Sequence, residues 1–205
     1  MAALLETGRQ IADVDFLGDY QENFQVLGDA NATKTYFLVA DEGYQVEIPG
    51  YSDYVGAIFQ LRKDQWRDRL VINGNWRSIQ KLEVDYAGEG EDLSIRFADA
   101  FFEVSLVDAL DSNAVINYLN EFEFLRANER ISPGRFPRLD SLAQTAPEAI
   151  ITIDDIKGSE PLQLVIFPAI PGDQFRLVLD PNNLMAVFEE ERVRALLRRP
   201  ADFKY

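Results

Sequence analysis

The sequence predicts an α+β protein with antiparallel sheets and helices packed on one face, built from two related units. Three observations lead there. Short segments alternate apolar and polar residues between close turns, the pattern of an antiparallel meander. Val115, Ile116, Leu119 and Phe122 fall on one face at helical spacing, as in an amphipathic helix lying on a sheet. The order of elements at the start of the chain then recurs at its end, which points to two copies of one supersecondary unit.

The chain has 205 residues, 47% hydrophobic and 12% aromatic, so it can bury a core. Lys and Arg number 20 against 35 Asp and Glu, a net charge of −15. That charge repels phosphate backbones and disfavours nucleic acid as a partner; it reads as solubility. Cys and His are absent. Disulfides, thiolate nucleophiles, Cys/His zinc sites and Ser-His-Asp triads are therefore excluded. No apolar run approaches the roughly 18 residues of a transmembrane helix.

Ala2 to Gly8 reads as the last turn of a helix closed by glycine. Ile11, Val14, Phe16 and Leu17 mark a first strand closed by Gly18-Asp19. Phe24, Val26 and Leu27 mark a second, and Tyr36 to Ala40 a third. Asp41-Glu42-Gly43 turns into a fourth, Tyr44 to Ile48, whose polar Gln45 and Glu47 alternate with apolar neighbours. Pro49-Gly50 stops that strand, since proline cannot donate to a ladder and glycine accepts turn geometry. Ser52 to Leu61 carries the aromatic and β-branched residues of a strand, yet Tyr54, Val55, Ile58 and Phe59 fit helical spacing, and a helix is expected.

Leu70 to Ile72 is a short apolar segment before the Asn73-Gly74-Asn75 turn. Strands follow at Ile79 to Tyr86, Leu93 to Phe97 and Phe101 to Leu106, the last two joined by a turn at Ala98-Asp99-Ala100. Gly88 to Asp92 is too acidic to cradle phosphate. Asp111 or Ser112 caps the amphipathic helix, whose end is read at Phe124 to Ile131. Ser132 to Pro137 is the clearest loop, and Leu139, Leu142 and Ala143 read as a short helix. Strands are expected at Ile150 to Ile153, Leu162 to Phe167, Phe175 to Leu179 and Ala186 to Phe188, with a turn at Asp180 to Asn183. Glu190 to Leu197 is a helix burying Val193, Leu196 and Leu197. Its acids stand at the start and Arg192, Arg194, Arg198 and Arg199 toward the end, which suits the helix dipole and outweighs an anion site as the reason for those arginines.

The recurrence sets Leu4 to Arg69 against Leu142 to Tyr205. Phe24-Gln25-Val26 matches Leu162-Gln163-Leu164-Val165, and Tyr36 to Asp41 matches Phe175 to Asp180. Asp64-Gln65-Trp66-Arg67 matches Ala201-Asp202-Phe203-Lys204. Residues 1–75 are then the C-terminal part of a first repeat whose front half would precede Met1. Residues 76–205 are a complete second repeat with an internal loop near 132–138.

The strand and turn Tyr44 to Tyr51, of the form Y-x-V-x-I-P-G-Y, and the segment Asp64 to Arg69, of the form D-x-W-R-D-R, resemble a bacterial family catalogued as domain of unknown function 4340. The strand-strand-strand-helix order of Ile79 to Leu125 and the Asp202-Phe203-Lys204 ending fit it too. The resemblance covers nearly the whole chain and carries no catalytic signature. It implies a membrane-anchored, extracytoplasmic protein, often encoded beside gliding-type ABC transporter genes. This chain lacks the anchor and the family's first strands.

Candidate sites are few. The carboxylate pairs Asp13 with Asp15, Asp154 with Asp155, and Glu189 to Glu191 would need a cleft between two acids to work as a hydrolase; adjacent acids on turns are more often solvated. Asp29 to Thr33 opens like a calcium loop, but Lys34 and Ala40 stand where glycine and glutamate belong, leaving at most a weak surface calcium site. Asn31-Ala32-Thr33 has the form of a glycosylation acceptor. Tyr51, Tyr54, Trp66, Arg67 and Arg69 are the candidate partner surface, because Trp, Tyr and Arg carry interface energy. The competing expectation packs Trp66 under the helix and pairs the arginines with Asp64 and Asp68. Trp76 and Phe136 are expected to be structural.

The expected function is a non-catalytic, extracytoplasmic binding or assembly module, with no cofactor and no metal. By resemblance its partner is a protein of an ABC-transporter-like membrane complex, and the membrane is reached only through an anchor outside this chain. A carbohydrate- or peptide-binding module is the alternative, and a carboxylate hydrolase comes last.

Overall fold

The computed structural model describes residues 9–15, 23–40 and 42–205. The helix end at Ala2 to Gly8, the close of the first strand at Phe16 to Asp19, the Asp41 turn residue and the Asp15 side chain lie outside the described residues. Contacts divide the chain into two compact units, Met1–Trp66 and Arg67–Tyr205. This division comes earlier than the expected one at 75/76, because Leu70–Ile72 pairs with Leu125–Arg126 of the second unit.

The first unit is an antiparallel meander of β1 (Arg9–Asp15), β2 (Asn23–Gly28), β3 (Thr35–Val39) and β4 (Glu42–Val46), in that spatial order. A 3-10 helix, Val55–Gln60, follows, shorter than the expected helix at 52–61. β4 ends at Val46, two residues before the expected Ile48. Among the described residues of this unit the buried hydrophobic side chains are Val26, Leu27 and Val55.

The second unit contains an eight-stranded antiparallel sheet and a two-stranded one. Its strands are β5 (Leu70–Ile72), β6 (Ile79–Tyr86), β7 (Leu93–Ala98), β8 (Phe101–Val104), β9 (Leu125–Arg126), β10 (Glu129–Arg130), β11 (Ala149–Asp155), β12 (Leu162–Ile166), β13 (Phe175–Leu179) and β14 (Met185–Glu189). The large sheet runs β10-β14-β13-β12-β11-β6-β7-β8, and β5 pairs with β9. The central β6–β11 ladder sets Leu82 opposite Ile153 and Val84 opposite Ile151.

Three α-helices of the second unit accompany these sheets: α1 (Ser112–Asn120), α2 (Pro137–Leu142) and α3 (Glu190–Leu196). α1 starts where Asp111 accepts hydrogen bonds from the Asn113 and Ala114 amides, at 2.9 and 3.1 Å, satisfying two amides that lack a helical partner. Side chains alternate between sheet faces with period two. Leu164, Ile166, Val178, Ala186 and Phe188 therefore share one cluster with Val115 and Leu119 of α1 and Val193 and Leu196 of α3. Their sequence neighbours Leu177, Met185 and Val187 join a second cluster with Leu139 and Leu142 of α2. The expectation of helices on one face is thus corrected, since α2 packs with the opposite set of side chains.

Phe124 to Ile131 also differs from the expected helix end. Phe124 takes φ 49°, which no helix continues through, and the chain enters β9 and β10. Those strands owe their existence to distant partners, Leu70 for Arg126 and Val187 for Glu129. No helix among the described residues is long and apolar enough to cross a membrane.

Candidate functional site

The five residues expected to form a partner surface are divided by the chain's own organisation. Tyr51, Tyr54 and Trp66 belong to the first unit, while Arg67 and Arg69 begin the second. Trp66 is 56% exposed and does not pack under a helix; it ends an aromatic row. Phe24 lies 4.6 Å from Phe37 between ring centroids, Phe37 lies 5.5 Å from Phe59, and Phe59 lies 6.4 Å from Trp66. Tyr54 is half-buried and structural: its ring lies so close over Gly28 and Gly56 that a Cβ at either position would collide with it. Burial, then the negative charge of Asp29, raises its phenol pKa. The expected arginine pairings are corrected as well. Asp64 pairs with Arg62 at 3.5 Å and Asp68 with Arg126 at 3.1 Å, while Arg69 donates to the Asn128 carbonyl.

Tyr51 stands on the wall of a cleft of about 600 Å³ at the end of β4. The Ile48 to Tyr51 turn is closed by the Tyr51 amide donating to the Ile48 carbonyl at 3.0 Å. Proline pre-sets the second position and Gly50, at φ 80°, supplies the left-handed third position of a type II turn. The turn places Ile48 and Tyr51, both exposed, on the cleft beside Val46. The opposite wall is Thr33, Lys34 and Thr35. Asp29 holds that wall: its Oδ1 accepts from the Thr33 and Lys34 amides, both at 2.6 Å, and its Oδ2 from the Thr33 hydroxyl at 2.8 Å. These bonds favour the charged form and lower the carboxyl to about 2, with the Lys34 amide the largest contributor. Asp29 is thereby committed to its own loop and is not a free calcium ligand. Below it, the buried Thr35 hydroxyl accepts from the Gly56 amide at 2.6 Å.

A second concavity, of about 410 Å³, lies in the second unit between α2 and the β10, β13 and β14 strands. Ile131, Phe136, Leu139, Phe175 and Val187 line it, with Arg138 among the charges at its margin. Phe136, expected from sequence to be structural, is instead exposed, with the Arg135 guanidinium 4.5 Å from its ring centre. Trp76, in contrast, is partly buried against the large core. The β10 wall is fixed by buried Arg130. Its guanidinium donates to the Asp68 and Leu70 carbonyls at 3.0 and 2.9 Å and to Asp180. The other Asp180 oxygen accepts from the Asn182 and Leu184 amides, both at 2.8 Å.

The carboxylate pairs singled out from sequence have structural partners. Asp13 accepts from Gln10 at 2.9 Å, Asp155 accepts from the Ser78 hydroxyl at 2.6 Å, and Glu189 from Asn128 at 3.1 Å. The Asp29 and Asp68 carboxyls are both held below the usual carboxylate range; at Asp68 the Leu70 amide is the main cause. A general acid needs the opposite direction. Among the described residues no group of three acids is placed to hold a metal ion.

Sequence reasoning missed one cluster. Arg176 is buried on β13, its Nη2 2.8 Å from Glu148 and its Nε 3.2 Å from Glu190 without the alignment of a hydrogen bond. The available signal was its phase: Arg176 alternates with Val178 on the core face of β13, where an unpaired charge is costly. Comparison with family models, curated proteins and solved structures finds no match to this chain.

Proposed function

We propose that this chain is a non-catalytic binding module whose first unit takes an extended segment of a protein partner in the cleft at the end of β4. The observation that carries this is an imbalance. Among the described residues the first unit buries three hydrophobic side chains, yet exposes Tyr44, Ile48, Tyr51, Leu61 and Trp66. Exposed apolar and aromatic groups at that density mark an interaction surface. β4 is also an edge strand, paired on one side with β3, and edge strands accept an added strand. Glu47 and Asp53 outnumber Lys34 on the cleft, which favours a partner segment that is neutral to basic.

The extracytoplasmic setting and a transporter-like membrane complex as the partner rest on the resemblance of Tyr44 to Tyr51 and Asp64 to Arg69. Descent of the two units from one duplicated element is supported by their shared order: β1 to β4 precede a short helix, as β11 to β14 precede α3. A peptide- or carbohydrate-binding role is favoured by a separate observation, the groove between Phe136 and Phe175.

The test is photo-cross-linking in the native cells, with a photoreactive residue in place of Ile48 or, as a control in the second unit, Lys157. A discrete protein adduct from position 48, lost on Tyr51→Ala and absent from position 157, is expected. Equal adducts from both positions, or persistence in Tyr51→Ala, would overturn the assignment to the cleft.

A further inference from the structure

The cluster around Arg176 opens onto a concavity of about 440 Å³, whose lining includes Tyr86, Glu148, Glu190 and three arginines. The arginines come from separate elements: Arg176 from β13, Arg194 from α3, and Arg199 from the residue preceding the 3-10 helix Pro200–Phe203. In a chain with 15 more acids than bases this convergence is unexpected. Three guanidinium groups face two carboxylates, Glu148 and Glu190, which leaves one positive charge on the lining.

The three arginines are not equally committed. Arg176, 6% exposed, is spanned by both glutamates. Arg194 shares Glu190 through its Nε at 3.2 Å. Arg199 has no carboxylate within ion-pair distance among the described residues. Its guanidinium lies 4.0 Å over the Tyr86 ring, and its Nη1 donates to the Glu91 carbonyl at 2.9 Å. The ring face orients the guanidinium plane while leaving its edge N–H groups free to donate. Gly90, at φ 128°, accepts this closeness because it has no Cβ to meet the guanidinium. The Tyr86 hydroxyl donates to the Arg198 carbonyl at 2.8 Å, and burial holds its pKa up at about 12, so the ring adds no negative charge. Arg199 Nε and Nη2, and both terminal nitrogens of Arg194, make no hydrogen bond among the described residues.

We infer that this concavity is a binding site for a single carboxylate, taken by the free N–H groups of Arg199 and Arg194 while Arg176 holds the two glutamates in place. Within the lining a monoanion balances the third guanidinium, and Asp202, whose carboxylate accepts from the Arg199 amide at 2.8 Å, adds negative charge beside it that disfavours a dianion. The planar guanidinium fork also matches a carboxylate two bonds at a time. Tyr86 and Leu197 offer apolar contact to the group that carries it. The carboxylate could belong to a small acid or to the C-terminus of a peptide, and both present the same chemistry.

The experiment is an NMR titration of the whole chain, read at the Gly88 and Gly90 amides and the arginine Nε–H signals. Four probes are used: N-acetylphenylalanine, its primary amide, a hexapeptide with a free C-terminal phenylalanine, and inorganic phosphate. The two acids should shift these signals saturably, and the amide should bind at least tenfold more weakly. Arg199→Ala should weaken acid binding at least tenfold, with the core signals unmoved to show that the fold is intact. A hexapeptide that outbinds the small acid supports a peptide terminus, and equal affinities support a small acid. Three results would overturn the site: no saturable shift, equal binding of acid and amide, or phosphate binding tighter than either acid.

Discussion

The molecule contains two four-stranded meanders of the same order, and they differ in cover. β11 to β14 lie within an eight-stranded sheet whose two sets of side chains both pack, one with α1 and α3 and the other with α2. Four consecutive residues of β14, Met185 to Phe188, are buried. In β4, at the same place in its own meander, none of the five residues is buried. Both meanders have turns and alternation adequate for strands. A sheet becomes a core only when a second layer covers it. The first unit has a 3-10 helix for that purpose among its described residues, and its aromatic row stays half-exposed. The sheet with less cover among the described residues is where recognition is expected, and the other is where stability is concentrated.

The sharpest way to break this comparison is to truncate one strand phenylalanine in each unit. Phe188→Ala, in the second unit's core, should cost about 3–5 kcal/mol, and Phe37→Ala, half-buried in the first, about 1–2 kcal/mol. The two tryptophans, Trp66 and Trp76, fall in different units, so single-tryptophan variants can report each unit's denaturant transition separately. Equal losses would erase the contrast.

Arg130→Ala should also cost about 3–5 kcal/mol, because it strands the Asp180 carboxylate in the interior, whereas Arg130→Met with Asp180→Leu should recover much of that loss. Thermal unfolding of the two variants decides between an uncompensated charge and simple lost packing; the latter leaves the double variant no better than the single one.

A smaller effect is expected in the first unit. Gly28→Ala should destabilise by about 1–3 kcal/mol through collision with the Tyr54 hydroxyl, and Tyr54→Phe should relieve it. The same rescue should fail for Gly56→Ala, where the ring carbon beneath the hydroxyl also blocks the Cβ. Chemical denaturation of the paired variants provides the check.

The smallest effect is set by pH. Asp29 is lowered from 3.8 to about 2, so its support of the 29–34 loop is fully present above 3.8 and is lost as pH falls through about 2. Intrinsic-rate-corrected hydrogen exchange at Thr33 and Lys34 should stay protected at pH 4 and become faster near pH 2; Asp29→Asn should show the faster exchange at both.

Local patterns made much of this fold legible. Leu93, Ile95 and Phe97 alternate cleanly and lie in β7, and of the two expected caps, Asp111 and Ser112, it is Asp111 that caps α1. The Ala98 to Ala100 turn appears with Asp99 in the left-handed region, φ 51°, which aspartate tolerates. Illegible were the features made by distant partners. β9 and β10 have two residues each and exist through Leu70 and Val187, and the side on which α2 packs depends on the phase of β13 and β14 rather than on its own spacing. The site followed the same rule. Tyr51 and the turn that presents it could be read locally, but the opposite wall at Thr33 to Thr35 is brought there by strand pairing. Arg176, Arg194 and Arg199 were legible as charges and not as neighbours.

The central claim is that the thinly covered first unit carries recognition. Hydrogen-exchange footprinting of the chain alone and in complex with the protein captured through position 48 tests it most directly. The account predicts new protection across residues 42–55, with the second unit's core amides unchanged. Protection confined to the second unit, or none at β4 and the turn that follows it, would contradict it.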